Sequence, residues 1–563
     1  MTQPEEPRRG ASRAARRGDG TAGSPVIVVG IDGADWDLLD PWIAAGELPA
    51  IAALRGAGVA GRSVSTDPPA TFPAWTSFAT ACEPVEHGVF DFTLRRGYSI
   101  RFVSARDRAR PSIWSRVAGS GRRVAVYNLP ASYPPEELPG GVFVSGFDTP
   151  VATAIDPSFV HPRGLHAELT RRHGPLVISD LNEVRIDGGW HERALATLLR
   201  DVARRGEIAL DLARREPWDL FFVLFGESDT AGHHFWWLHD RGSPRHRPAG
   251  ALAGALLDVY RAIDRAIGRL VDARPADARV LLLSDHGMGG AGTRCVSINR
   301  FLEERGWLRF APMSLVDPGL GALRGLALRV VPTRLQGRLA RGVGAGLATR
   351  LEARSRFAGI DWRGTRAFSE ELNYAPSVCL NLAGREPLGQ VAPEQAEGVC
   401  RELVDLLESW RDPATGGRIV ARARTRREVH GDGPLLERAP DLVVDLALED
   451  GYSTTVRRSG GRPGPAVWRI DPSEHPGSKA SGMNGTHRRH GMYCWSVPGL
   501  AGAPGSDRRL AELGASVLGA FDIEAYPGGE GADSPSAFVG EDPYDGEENE
   551  VLERRLRALG YLE

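Results

Sequence analysis

Asp229 is followed four residues later by His233, and Asp285 is followed at once by His286. A spacing of four places two side chains one helical turn apart, where both can face the same point. Carboxylate and imidazole together are ligands for a divalent cation. A third carboxylate, Asp32, closes an apolar run near the start of the chain. Three carboxylates and two imidazoles at such places outline a metal site, and in number a two-metal site.

The elements that must position them are three apolar runs. Val26–Ile31 leads into Asp32, Leu220–Phe225 leads toward Asp229, and Val280–Ser284 leads into Asp285. Continuous apolar runs bounded by polar turns are expected where strands are buried on both faces of a parallel sheet covered by helices. In such sheets ligands gather beyond the carboxyl ends of the strands. The expected fold is therefore α/β: a doubly wound, mostly parallel sheet with helices on both faces and lid-like insertions. Further strands are predicted at Val124–Tyr127, Val142–Ser145, Leu442–Val444 and Met492–Trp495. Helices are predicted over 194–214, 251–273 and 394–409 from apolar residues at helical spacing.

A nucleophile candidate follows the first βα unit, in Asp67-Pro68-Pro69-Ala70-Thr71-Phe72-Pro73. Prolines on both sides of Thr71 stiffen the backbone. A stiff loop entering a helix can offer one hydroxyl and several backbone N–H groups to an anion such as phosphate.

The 563 residues exceed a single small core, and 42% apolar with 25% charged content is ordinary for a soluble globular protein. A net charge of -3 gives no general attraction to a nucleic-acid polymer or an acidic membrane. Lys479 is the only lysine, a bias better explained by genome composition than by function. Five scattered cysteines without a Cys-x-x-Cys pair argue against a disulfide framework or a thiolate zinc site and fit a reducing compartment. With no signal-like apolar stretch and no membrane-spanning run, a cytoplasmic location is expected.

The expected organisation is a disordered basic leader over 1–24, a first part of the α/β core over 25–300, an insertion or lid over 301–430, and a second part of the core over 431–526. An acidic linker and a C-terminal amphipathic helix would occupy 527–563, with Leu552, Leu556 and Leu559 on one face. That face is expected to dock on its own domain rather than on a second copy. The oligomeric state is left open.

Several motifs occur together and in order: Asp32-Gly33, the Thr71-Phe72-Pro73 loop trailed by Pro84-x-x-His87-Gly88, Glu227-Ser228-Asp229-x-x-Gly232-His233, and Asp285-His286-Gly287-Met288. Together they resemble the alkaline phosphatase superfamily, closest to its type I phosphodiesterase/nucleotide pyrophosphatase branch and to bacterial phosphohydrolase/phosphomutase proteins. The resemblance extends from about Val26 to the end of the chain and includes Asn381-Leu382-x-Gly384-Arg385-Glu386-Pro387 and the closing Leu559-Gly560-Tyr561-Leu562.

The resemblance implies a two-metal phosphoester hydrolase. One ion would be held by Asp32, Asp285, His286 and the hydroxyl of Thr71. The other would be held by Asp229, His233 and a histidine just after Gly485-Thr486, which is His487; His490 is the rival. Three imidazoles and three carboxylates without thiolate suit zinc and would also accept manganese. Two dications against three carboxylates and an ionised Thr71 come close to neutral, so a phosphate is not repelled. Thr71 would attack phosphorus in line, form a phosphothreonine and be regenerated by water. The partner is a small-molecule phosphoester.

One departure concerns specificity. The family's asparagine shortly after the nucleophile is replaced by Ala74, so a backbone N–H, Thr76 or Ser77 would have to hold the phosphate oxygen. No Cys-x-Pro-x-Arg motif of sulfatases occurs. A phosphomutase or a phosphomonoesterase of the same superfamily is the alternative. A catalytically inactive binding protein is disfavoured by the intact ligand set.

Taken singly, the same residues have plainer readings. Asp32 or Asp285 would be a helix cap, Thr71 a turn residue and His87 a structural turn or outer-shell group. Phe235-Trp236-Trp237 would be helix packing rather than a base-stacking surface. Arg385, Arg488 and Arg489 would be ordinary surface arginines rather than an anion grip.

Overall fold

The structure is a computed structural model. It describes residues 23–146, 155–176, 181, 186, 188–248, 250–311, 357, 359–459, 463–471 and 483–525. The expected leader (except Gly23 and Ser24), residues 312–356 and 358 of the expected insertion over 301–430, the acidic linker and the C-terminal helix lie outside the described residues.

The apolar runs form the centre of a nine-stranded sheet. Arg279–Leu283, Val26–Ile31, Leu220–Phe225, Val124–Leu129 and Val142–Ser145 lie side by side and parallel. Every residue of Val26–Ile31, Leu220–Phe225 and Val124–Leu129 is buried, as strands covered on both faces require. Tyr493–Ser496 joins beside Arg279–Leu283 and runs antiparallel to it, and Val160–His161 does the same beside Val142–Ser145. Gly58–Gly61 and Ala503–Pro504 extend the first edge.

Two groups of helices enclose this sheet. Thr71–Thr80, Ile113–Gly119 and Leu510–Gly519 pack together, and Pro49–Gly56, Trp190–Arg215, Glu227–His239 and Ala255–Asp272 form the other group. One continuous apolar core runs through the sheet and both groups. The helix expected over 251–273 begins only at Ala255, because Gly250–Leu252 forms a short 3-10 turn and Gly254 precedes the first helical residue.

A second, antiparallel sheet takes strands from both sides of residue 430: Ala367–Phe368, Ser377–Leu380, Leu442–Leu446 and Val420–Thr425. The predicted Leu442–Val444 strand lies here rather than in the main sheet. Phe301, Phe368, Leu403 and Trp410 belong to its separate apolar core. A third sheet is built on Gly287–Val296, which begins directly after His286 and pairs antiparallel with Gly485–Arg488. This pairing places Met288 opposite His487, so two chain segments about two hundred residues apart share one corner of the fold.

Candidate active site

Asp32 and Asp285 leave adjacent parallel strands at the same end, and both are fully buried. Asp229 and His233 lie one turn apart on Glu227–His239, the helix that follows the neighbouring Leu220–Phe225 strand. Thr71 is the first residue of the buried helix Thr71–Thr80. The structure thus brings together the residues singled out from the sequence. Thr71 Oγ1 is 3.3 Å from His286 Nε2. His286 Nε2 is 3.2 Å from Asp285 Oδ2 and 3.5 Å from Asp32 Oδ1. Asp229 Oδ1 is 3.2 Å from His233 Nε2 and 3.3 Å from His487 Nε2.

Of the two rival histidines, His487 stands in this cluster, with its ring stacked on His286 at 3.7 Å between centroids. His490 is exposed, and its backbone bridges to Val64.

The imidazoles are oriented from behind. His233 Nδ1 faces the carbonyl of Gly485 at 2.7 Å, His487 Nδ1 that of Pro69 at 2.9 Å, and His286 Nδ1 that of Gly287 at 3.1 Å. A carbonyl only accepts, so each Nδ1 carries a proton, and in a neutral imidazole the lone pair is then on Nε2. His233 Nε2 and His487 Nε2 nevertheless lie 3.1 Å apart. Two nitrogens at that distance, beside the Asp229 carboxylate, need a proton or a metal ion among them.

Electrostatics point the same way. Burial, together with the Asp229 charge, holds Asp285 well above the usual carboxylate range, and its Oδ2 accepts no hydrogen bond from the described residues. Burial and the adjacent His487 push His286 well below its ordinary value. A bound cation reverses the first of these effects by favouring the ionised carboxylate, and it engages the neutral imidazole. Asp32, Asp285 and His286 form one group able to hold a metal ion, and Asp229, His286 and His487 form another.

Several supporting residues had no signature in the sequence. Trp75, one turn beyond Thr71, donates its indole N–H to Asp32 Oδ2 at 2.8 Å. Ser284 Oγ accepts from Ala34 N–H at 2.9 Å, and Asp35 accepts from Met288 N–H at 3.0 Å, so the Asp32 and Asp285 loops are tied to each other. Spacing four from Thr71 was the only available hint of Trp75. Ser77, a candidate stand-in for the missing asparagine, is bonded to His87 Nε2 at 3.0 Å. The arginines considered as anion ligands have protein partners. Arg385 pairs with Glu386 and Asp441, Arg488 bonds Ser453 and the carbonyls of Gly290 and Gly451, and Arg489 meets Asp67.

Comparison with known proteins then decides the family. The profile of the type I phosphodiesterase/nucleotide pyrophosphatase family matches residues 26–492. The chain belongs to this family. As a type I phosphodiesterase/nucleotide pyrophosphatase family member it is an enzyme of the phosphoester-hydrolase class. No curated protein sequence matches it significantly. Among solved structures it is similar to phosphonoacetate hydrolase from Sinorhizobium meliloti 1021 in complex with phosphonoformate. The TM-score is 0.53 at 16% identity, covering 88% of this chain and 96% of that one. A murine ectonucleotide pyrophosphatase/phosphodiesterase 5 matches with a TM-score of 0.47 at 10% identity, over 90% and 97% of the two chains. At this identity the phosphonoacetate hydrolase likeness speaks to the fold alone. Among the described residues no helix is long and apolar enough to cross a membrane.

Proposed function

We propose that this family member hydrolyses small-molecule phosphoesters through a covalent phosphothreonine on Thr71. Asp32, Asp285 and His286, with the Thr71 hydroxyl, would hold one divalent ion, and Asp229, His233 and His487 a second. The observation that carries this reading is the convergence of His233 Nε2 and His487 Nε2, 3.1 Å apart, on the Asp229 carboxylate. An all-nitrogen and oxygen donor set without thiolate suits zinc, with manganese next.

Bound there, the two ions would supply the Lewis acidity that lowers the threonine hydroxyl's pKa and offsets charge on the phosphoryl oxygens. The chain's own part is positional. Thr71 sits at a helix start, where backbone N–H groups and the helix dipole favour an anion. Its Oγ1 attacks phosphorus, the ester oxygen leaves, and the phosphoryl group rests on Thr71. Water then attacks that phosphorus and restores the hydroxyl. With Ala74 in the place of the asparagine and Ser77 held by His87, the phosphate oxygen falls to the backbone N–H groups at the helix start or to Thr76.

Metal analysis of the purified protein and of Thr71→Ala, alongside assays with para-nitrophenyl phosphate and bis-para-nitrophenyl phosphate, tests the reading. Two ions per chain in both proteins, with turnover only in the wild type, is expected. Turnover surviving in Thr71→Ala would refute the nucleophile. A protein that binds neither zinc nor manganese would refute the site.

A further inference from the structure

Beside the nucleophile loop lies a cleft of 410 Å³ between the main fold and the second sheet. Its wall begins at Pro68, three residues before Thr71, and continues along the Phe90–Gly97 segment. Phe92 of that segment lies 4.2 Å, ring to ring, from Phe72, the residue after Thr71, and also packs on Tyr374. The opposite wall comes from Ser377, Cys379, His430 and Arg438.

The charges in this cleft sort into those already engaged and those left over. Arg95 meets Glu370 at 3.3 Å and Glu386 at 2.8 Å, and Arg385 meets Asp441 at 2.6 Å. The lining carboxylates are occupied as well: Glu370 by Arg95, Glu437 by Arg426 at 2.8 Å, and Asp91 by the Thr93 hydroxyl at 3.1 Å. Arg96 is exposed and makes no side-chain hydrogen bond or ion pair among the described residues. Arg438 has no carboxylate partner there either; its hydrogen bond is a long one, 3.4 Å, to the carbonyl of Asp107.

Arg438 is nonetheless held in place. Its Nη1 lies 2.6 Å from where a Cβ on Gly88 would be, and Gly88 adopts a φ of +79° that disfavours any other residue. The glycine of the Pro84-x-x-His87-Gly88 motif is therefore the seat of this guanidinium. His87 in turn bonds Ser77 on the Thr71 helix, so the seat is fixed relative to the nucleophile. Phe90 of the first wall and His430 of the second meet with ring centroids 4.9 Å apart, and His430 Nε2 makes no hydrogen bond among the described residues. Burial lowers His430 to about 4, so it is a neutral lining group at physiological pH.

We propose that Arg96 and Arg438 form an anion subsite in this cleft. The substrate then carries a second anionic group, a carboxylate or a phosphate, on the organic part remote from the scissile phosphoester. Two guanidiniums without a carboxylate partner, in a cleft also lined by Phe90 and His430, suit an anion borne on an apolar or aromatic body. This rests on the proposed phosphoesterase reading and adds to it the class of substrate.

The test uses the full-length metal-loaded enzyme and three matched esters. They are phenyl para-nitrophenyl phosphate and its analogues bearing a carboxylate or a phosphonate on the phenyl ring. The wild type is expected to show a KM about tenfold lower for one or both charged esters than for the neutral one. Comparing the two charged esters identifies the anion. Arg96→Ala with Arg438→Ala should erase that difference while leaving kcat and the KM of the neutral ester in place, and Arg438→Lys should restore part of it. Equal KM values for all three esters in the wild type, or an equal loss on charged and neutral esters in the variants, would overturn the subsite while leaving the hydrolase intact. Absence of Thr71-dependent turnover of every ester would remove the phosphoesterase reading and the subsite together.

Discussion

The indole N–H of Trp75 donates to Asp32 Oδ2 at 2.8 Å, leaving Asp32 Oδ1 on the side of His286 Nε2, 3.5 Å away. Trp75 is one turn beyond Thr71 on the same helix. A single helix thus presents the proposed nucleophile and aligns a carboxylate of the site that is proposed to activate it. Trp75→Phe keeps the ring and removes the N–H. Outer-shell partners of this type contribute roughly 10–100-fold to metal affinity or activity. Competition titration against a chromogenic chelator should show weakened binding of one ion, with the other unchanged. Unchanged affinity for both would mean the indole is only packing.

The two histidines after Gly485 should separate cleanly. His487→Ala or Asp229→Ala is expected to lose about one metal ion per chain. His490→Ala should retain both, since His490 is exposed and its backbone, not its ring, is used in the bridge to Val64. Metal counting on the three variants checks this, and a loss confined to His490→Ala would reverse the assignment.

Gly485 carries a different kind of constraint. A Cβ there would lie 2.2 Å from the carbonyl oxygen of Gly232 and 3.2 Å from Trp236 Cβ. The Gly485 carbonyl also receives the Nδ1 proton of His233. Gly485→Ala must shift that strand, at a cost of about 1–3 kcal/mol by comparison with overpacked cores. His233 should then be misaligned. Denaturant unfolding and metal titration together should show lost stability and lost affinity at the Asp229 half of the site. Lost stability with full metal affinity would contradict the orienting role of the carbonyl.

His87 predicts a pH dependence of stability. Burial, reinforced by the charge of Arg108, lowers it from 6.5 to about 3. It accepts from Val89 N–H at Nδ1 and bonds Ser77 through Nε2, so it is held neutral. The unfolded chain takes up the proton near pH 6.5 and the folded chain only near 3. Between those values the unfolded state binds more protons, so stability falls as pH falls, by up to about 5 kcal/mol over the whole window. His87→Gln should flatten this part of the stability profile relative to wild type. Parallel profiles for the two proteins between pH 6.5 and 4 would show that His87 titrates in the folded state.

What was legible in the sequence was local. Asp32 and Asp285 end apolar strands, and Asp229 and His233 share a helix face, so pattern and spacing alone pointed to one sheet edge. His487 had no such signal. It reaches Asp229 from far along the chain, on a short strand paired to Gly287–Val296, and only the Gly-Thr-His motif singled it out. The carbonyls of Gly485, Gly287 and Pro69 that fix the three tautomers were invisible, because any residue supplies a carbonyl and only the fold aims it. Arg438 was lost among many arginines. Its distinction is the lack of a carboxylate partner among the described residues and the seat at Gly88, and both depend on how the second sheet meets the Thr71 loop.

The central claim is that Thr71 becomes phosphorylated during turnover. The direct measurement is rapid acid quenching of the metal-loaded enzyme during hydrolysis of bis-para-nitrophenyl phosphate, followed by mass spectrometry of the peptide containing Thr71. A nitrophenyl phosphate adduct on Thr71 is expected to appear within the first turnover, to disappear when substrate is exhausted, and to be absent from Thr71→Ala, which does not turn over. An enzyme that hydrolyses the ester at full rate with Thr71 unmodified at every quench time would contradict it.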